Sequence, residues 1–258
     1  MIDGVTCLHV STFAETIQRN PLFTDVKEVL KDSATTSIYK YNGIIFKISN
    51  NVVSLYGSLH KYHRGGGING GDFTRLELVE VLNDLWNTSG INVHTTQINT
   101  LEVGVNVDSN PVDFIYSIID YKGDPVTIKN NDFLYSECEK ERYCMKAYAK
   151  GDQLRIEVKF KKSADLNKIG IKYLADLVNP ANYARLGELL LSYFNNYLII
   201  DSKPIPATIP TREREILDHG SNPRYWQKLR SDNKENYKKK RKRFKELLCK
   251  YNLDSGMK

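Results

Sequence analysis

Residues 143–162 read YCMKAYAKGDQLRIEVKFKK, and from Leu154 to Lys161 apolar and charged residues alternate without a break. Period-two alternation is the signature of a strand, with Leu154, Ile156, Val158 and Phe160 on one side and Arg155, Glu157, Lys159 and Lys161 on the other. Gly151-Asp152-Gln153 is turn chemistry, so Ala147–Lys150 reads as the preceding arm of a hairpin. Tyr148 and Lys150 share a face of that arm. A tyrosine, a lysine, an arginine and a glutamate therefore converge on one ribbon. The plainer reading of the same pattern is an amphipathic hairpin whose charges are solvated.

A second strand pattern is TLEVGVNV, residues 100–107. Leu101, Val103, Val105 and Val107 form one face, and Glu102, Gly104 and Asn106 form the other. A carboxylate, a bare backbone and an amide on one face suit a floor for a metal or a phosphate, as well as a half-exposed strand.

Strand patterns also cover Val5–Val10, Tyr39–Ser49, Val52–Leu59 and Ile91–Ile98, with Asn50-Asn51 as a turn. Helical patterns cover Phe23–Lys31, a segment capped by Asp72 and running to about Asn87, and one opened by Asn110-Pro111 and running to about Tyr121. Further helices are expected over Ile171–Val178, Tyr183–Leu198 and about Ser231–Cys249. The helix after Asp72 shows a stripe of Leu76, Val79, Leu82, Leu85 and Trp86, and Gly90 ends it. Residues 57–73 hold a glycine-rich loop without the Lys-Ser/Thr ending of a phosphate-binding loop. Strands interleaved with helices, several in hairpins, predict an α+β fold with a mainly antiparallel central sheet, flanking helices and a basic helical C-terminal segment. The expected organisation is a catalytic domain over 1–200, a proline-rich linker over 201–210 and a basic tail over 211–258.

Charge supports that division. Residues 211–258 hold 15 Lys and Arg against 7 Asp and Glu, whereas residues 1–210 hold 22 against 24. The excess culminates in KKKRKR, Lys238, Lys239, Lys240, Arg241, Lys242 and Arg243, the residues expected to contact nucleic-acid phosphates. Cys7, Cys138, Cys144 and Cys249 form no C-x-x-C pair, which argues against a zinc site or a disulfide framework. The absence of a long apolar run or a signal-like start predicts a cytoplasmic chain with no membrane partner. Among the histidines, His9 reads as a core residue, and His60 and His63 as exposed rather than metal-bound.

Phosphoryl transfer by a covalent route needs a nucleophilic oxygen, a cation to neutralise the phosphate and carboxylates to hold that cation. Tyr148, with Lys150 beside it, is a candidate for the oxygen. Glu102 and Glu157 are candidate ligands for Mg²⁺ or Mn²⁺, with Asn106 or water completing the shell. Tyr143 competes as nucleophile, because Tyr143 and Lys146 have the Y-x-x-K spacing that aligns on a helix.

These pieces occur in an order that resembles the replication initiators of filamentous phages, the gene II endonuclease family and its CRI-type relatives. The likeness runs from Met1-Ile2-Asp3 through Tyr41–Ile48, Gly57–Lys61 with the loop ending at Asp72, and Leu101–Asn106. It continues through Ala147–Lys150, Leu154–Lys159 and the helix after Gly170. Such a resemblance implies nicking and rejoining of single-stranded origin DNA through a 5′-phosphotyrosine, on a supercoiled replicon, alongside host helicase and polymerase. It implies Tyr148 as nucleophile, Lys150 as its companion, Glu102 and Glu157 as metal ligands, and Arg155 on the phosphate or supporting Glu157. The chain is shorter than the phage enzymes and ends in its own basic segment. The competing expectations are a non-catalytic nucleic-acid-binding protein and a metal-dependent nuclease that uses water.

Overall fold

A computed structural model describes residues 2–10, 12–31, 34–67, 71–130, 134–200 and 205–253. Met1, residues 68–70 of the glycine-rich loop and residues 201–204 of the expected linker lie outside them. The fold is α+β, with a large antiparallel sheet of ten strands and helices around it. Strands β1 (Ile2–Cys7), β2 (Thr24–Lys31), β3 (Ala34–Tyr41), β4 (Ile44–Ser49), β5 (Val52–Ser58) and β6 (Thr100–Val107) come first. Strand β7 (Ile118–Tyr121) lies outside this sheet, and β8 (Thr127–Asn130), β9 (Leu134–Glu139), β10 (Tyr143–Lys150) and β11 (Gln153–Phe160) belong to it. The order is β2-β3-β4-β5-β1-β6-β11-β10-β9-β8, and β12 (Tyr197–Ile199) pairs with β7 separately. By contacts the chain forms two compact units. The first is Met1–Val105, Lys140–Cys144 and Glu157–Leu190; the second is Asn106–Glu139, Met145–Ile156 and Leu191–Lys258.

In the first unit, β2 to β5 form a meander. The segment Phe23–Lys31, expected as a helix, is instead the edge strand β2, paired with β3 from Thr24↔Lys40 to Lys31↔Ala34. Pairing with a β-branched partner strand overrides the weak helical pattern. The run Tyr39–Ser49 is not one strand. It breaks at Asn42-Gly43, where both residues have positive φ (44° and 81°), and the chain reverses into β4. Asn50-Asn51 (48° and 60°) repeats the device between β4 and β5. Positive φ at both central positions matches the twist of a tight hairpin, which is why asparagine and glycine occupy them.

Helix α1 (Ala14–Arg19) and α2 (Leu59–His63) are short, and α3 (Arg75–Ser89) is the long helix of this unit. Its cap is Thr74, not Asp72: the Thr74 hydroxyl accepts from Glu77 N at 3.2 Å, and Glu77 accepts from Thr74 N at 2.7 Å. This reciprocal pair satisfies two otherwise orphaned donors and stabilises by about 1 kcal/mol. The buried face is Leu78, Val81, Leu82 and Leu85, while Leu76 and Trp86 are exposed at 67% and 44%. Residues 91–98 form no strand; Gln97 makes one isolated bridge to Tyr173. His9 lies past the end of β1 and is exposed. His60 is 2% exposed and stacks on Phe73 at 5.0 Å, contrary to its expected exposure. The other elements here are α5 (Ser163–Asn167), a 3₁₀ turn over Leu174–Val178 in place of the longer expected helix, and most of α6 (Pro180–Phe194).

In the second unit Asn110 caps α4 (Pro111–Ser117), accepting from Val112 N at 2.9 Å. The helix stops at Ser117 rather than near Tyr121, because Ile118–Tyr121 is buried on both faces as β7. Likewise α6 ends at Phe194, and Tyr197–Ile199 becomes β12, antiparallel to β7. Helices α7 (Thr211–Gly220), α8 (Pro223–Asp232) and α9 (Lys234–Lys250) pack onto these strands. Ile119, Leu198, Leu217, Trp226, Phe244 and Leu247 lead their shared core. Each such side chain removed from water contributes roughly 1.5–3 kcal/mol before entropy is counted. A β-carbon on Gly220 would run into the Phe244 ring, so α7 needs glycine where α9 crosses it.

Candidate functional site

Strand β11 departs from its sequence pattern in one respect. Its alternation is kept, but both faces are covered. Leu154, Ile156 and Val158 are buried, and so are Arg155 at 4% and Glu157 at 3% exposure. The charges are not solvated. Burying a guanidinium or a carboxylate costs several kcal/mol unless it is paired or hydrogen-bonded, so such residues mark structural ion networks or functional sites.

The second unit holds Tyr148, Lys150, Arg155 and Asn106. Between β10 and β11 only Gly151 and Asp152 intervene, with φ of 61° at Gly151. A two-residue connection sets Lys150 opposite Gln153 and Tyr148 opposite Arg155. Lys150 follows Tyr148 on the same face, and Lys150 Nζ is out of contact with solvent. Arg155 Nη1 donates to Asn106 Oδ1 at 3.2 Å. A half-buried phenol thus has a buried guanidinium across the strand pair, itself oriented by an amide. Tyr143 and Lys146 lie on β10 as well, and three residues apart on a strand they point to opposite faces. The helical alignment expected of that pair does not arise.

The first unit holds Glu102 and Glu157. Strands β6 and β11 are neighbours, and Lys159 Nζ lies 3.0 Å from Glu102 Oε1. With 102 beside 159 on antiparallel strands, the bare backbone of Gly104 falls level with Glu157. On the other side of β6, Gly4 of β1 lies under Glu102: a β-carbon at Gly4 would collide with the carboxylate oxygen and stand 3.0 Å from its carbon. The next residue back, Asp3, is 5% exposed and accepts from the Ser58 hydroxyl, which in turn accepts from Lys61 N at 3.0 Å and caps α2. Asp3, Lys159 and Gly4 escaped notice as site residues in the sequence. A lone aspartate in an otherwise apolar strand was the available signal.

Two carboxylates and an amide oxygen are the donor chemistry that a hard divalent cation takes. Here Lys159 Nζ lies against Glu102 Oε1, and Asn106 Oδ1 accepts from Arg155. In the first unit the two carboxylates suit Mg²⁺ or Mn²⁺ as donor types, with Lys159 as the competing cation at Glu102.

The basic run divides by helix geometry. Lys238, Lys239, Lys240 and Lys242 are exposed on α9. Arg241 turns inward to a bidentate pair with Asp120, whose side chain is 2% exposed on β7. Burial pulls the Arg241 guanidinium down, but the hydrogen bonds and charge of Asp120 outweigh it and hold it above its ordinary value. Arg243 Nη2 donates to Glu213 Oε1 at 2.8 Å, and Lys240 Nζ lies 5.7 Å over the Tyr225 ring. Two of the six residues are thus committed to ion pairs inside the unit. No helix among the described residues is long and apolar enough to cross a membrane.

No protein-family model, curated protein or solved structure matches the chain.

Proposed function

We propose that the chain is a metal-dependent DNA strand transferase of the rolling-circle type, with Tyr148 as its nucleophile. The observation that carries this reading is the burial of Arg155 and Glu157 on a strand whose hairpin register sets Arg155 against Tyr148. A solvated amphipathic ribbon has no use for buried charge at those two positions. The ordered likeness to the gene II family of initiators supports the same reading, with single-stranded origin DNA as substrate, host helicase and polymerase as companions, and a cytoplasmic setting.

In this reading Tyr148 Oη attacks the scissile phosphorus. The Oη–P bond forms as the P–O3′ bond breaks, and the 3′ oxygen leaves with a proton. A neighbouring guanidinium favours the anionic phenol and takes up charge on the phosphate, and Lys150 adds a second cation on the tyrosine's face. The 5′-phosphotyrosyl bond keeps the energy of the broken linkage, so a returning 3′ hydroxyl reverses the step. Glu102 and Glu157, with Asn106 or water, are the residues that would hold Mg²⁺ or Mn²⁺, which would polarise the phosphate.

The test is a denaturing gel of protein with end-labelled single-stranded DNA from its own replicon, with Mg²⁺ or Mn²⁺. A covalent band present in the parent and in Tyr143→Phe, and lost in Tyr148→Phe, is the expected result. Loss in Tyr143→Phe alone moves the nucleophile. Cleavage without an adduct points to hydrolysis by water, and binding without either outcome leaves a non-catalytic binding protein.

A further inference from the structure

Helix α9 carries Lys234, Lys238, Lys242 and Lys245 at spacings of four, four and three, which sets all four on one face. That face lines a cleft of about 500 Å³ whose other wall is the turn over residues 122–124 with Arg230 of α8. Some of the charge in the cleft is already compensated. Arg230 pairs with Asp124 and donates to Gly123 O at 3.1 Å; Arg241 is clamped by Asp120; Glu246 accepts from Arg243. Among the described residues Lys234, Lys238, Lys242 and Lys245 have no carboxylate at ion-pair distance. Burial, with the Arg241 charge beside it, holds the Lys245 ammonium below the usual lysine range, against the pull of Asp120. A lysine held beside another cation gains from an anion.

The length of the row selects the anion. From residue 234 to 245 a helix rises about 16 Å. One nucleic-acid strand presents a phosphate about every 3.4 Å of duplex axis, so the row spans several phosphates, where one small anion would engage one or two lysines. We propose that this cleft is a nucleic-acid backbone site in which Lys234, Lys238, Lys242 and Lys245 are spread along the phosphates of one strand. Arg241 positions the wall without touching the ligand. The site supplies a grip for the substrate proposed above and rests on that reading only for which nucleic acid is gripped.

The test measures binding of a fluorescent single-stranded oligonucleotide to the Tyr148→Phe protein across a salt series, so that no adduct contributes. Each phosphate contact on a single strand contributes about 0.7 to the slope of log affinity against log salt, so Lys242→Gln/Lys245→Gln is expected to flatten it by about 1.4. Lys239→Gln, in the same run but outside the cleft, keeps the parent slope. Equal flattening by Lys239→Gln, or none by the cleft pair, overturns the proposal. So does thermal stabilisation by inorganic phosphate that the cleft pair abolishes while oligonucleotide binding stays intact, which would assign the cleft a small anion. A flattened slope, with no tyrosyl adduct from the parent chain, keeps the cleft and removes the transferase; an adduct from the parent chain with an unmoved slope does the reverse.

Discussion

Asp120→Ala isolates the energetics that hold the C-terminal helices. Asp120 has 2% of its side chain exposed and Arg241 16%, and the two share a bidentate pair while Asp120 Oδ1 also accepts from Gly123 N at 2.9 Å. Removing one member of a buried pair strands the other charge and costs about 3–5 kcal/mol. The guanidinium keeps some access to the cleft, and water there relieves part of the penalty, so the lower end, about 3 kcal/mol, is expected. Replacing both partners, in Asp120→Ala/Arg241→Met, leaves no stranded charge. The double variant should therefore be more stable than the two single losses predict, by about 2 kcal/mol. Urea unfolding followed through Trp226, buried in this unit's core, reads the effect in a Trp86→Phe background. At a slope of about 2 kcal/mol/M the single substitution should move the midpoint by about 1.5 M. A shift under about 0.5 M, or additivity of the two substitutions within about 0.5 kcal/mol, would refute the pairing as the anchor.

Two further predictions follow from the same geometry. Gly4→Ala pushes a β-carbon against the Glu102 carboxylate, and a flexible side chain gives way more readily than a backbone. Melting should change by a few degrees at most while metal-dependent adduct formation drops about tenfold, equivalent to about 1.4 kcal/mol; unchanged adduct yield would count against Glu102. Hydrogen bonds from Lys250, then Tyr251, hold the Glu213 carboxyl below its usual range. A depressed carboxylate contributes stability above its unfolded pKa and loses it as pH falls through the folded one. Parent and Glu213→Gln should thus differ in urea midpoint at neutral pH and converge in acid, and a gap that persists in acid would dismiss the contribution.

The elements most legible in the sequence are those with an undiluted pattern. Strict alternation located β6 and the β10–β11 hairpin, and Asn110-Pro111 and Gly90 marked a helix start and a helix end. Segments with two competing patterns were misread. Phe23–Lys31 mixes charged and apolar residues in a way that suits a weak helix, and only its partner β3 makes it a strand. On α3, Leu76, Leu78, Val79, Val81, Leu82, Leu85 and Trp86 cover so wide an arc that the sequence did not specify which part faces inward. Alternation likewise showed that Arg155 and Glu157 share a face, but not that this face is buried. Asp120 and Arg241 are separated by 120 residues of chain, and a partnership formed by tertiary packing leaves no local trace.

The two units are interleaved in sequence, and the chain passes between them five times. During synthesis this imposes a waiting time. Residues 1–105 emerge early, but the first unit also needs residues 157–190, and at about 5–20 residues per second those follow roughly 4–17 s later. Strands β1 to β6 must persist through that interval before β11, the neighbour of β6, has emerged. The second unit is incomplete until α9 has emerged. Neither unit is a contiguous gene fragment, so no single cut in the coding sequence yields one of them whole.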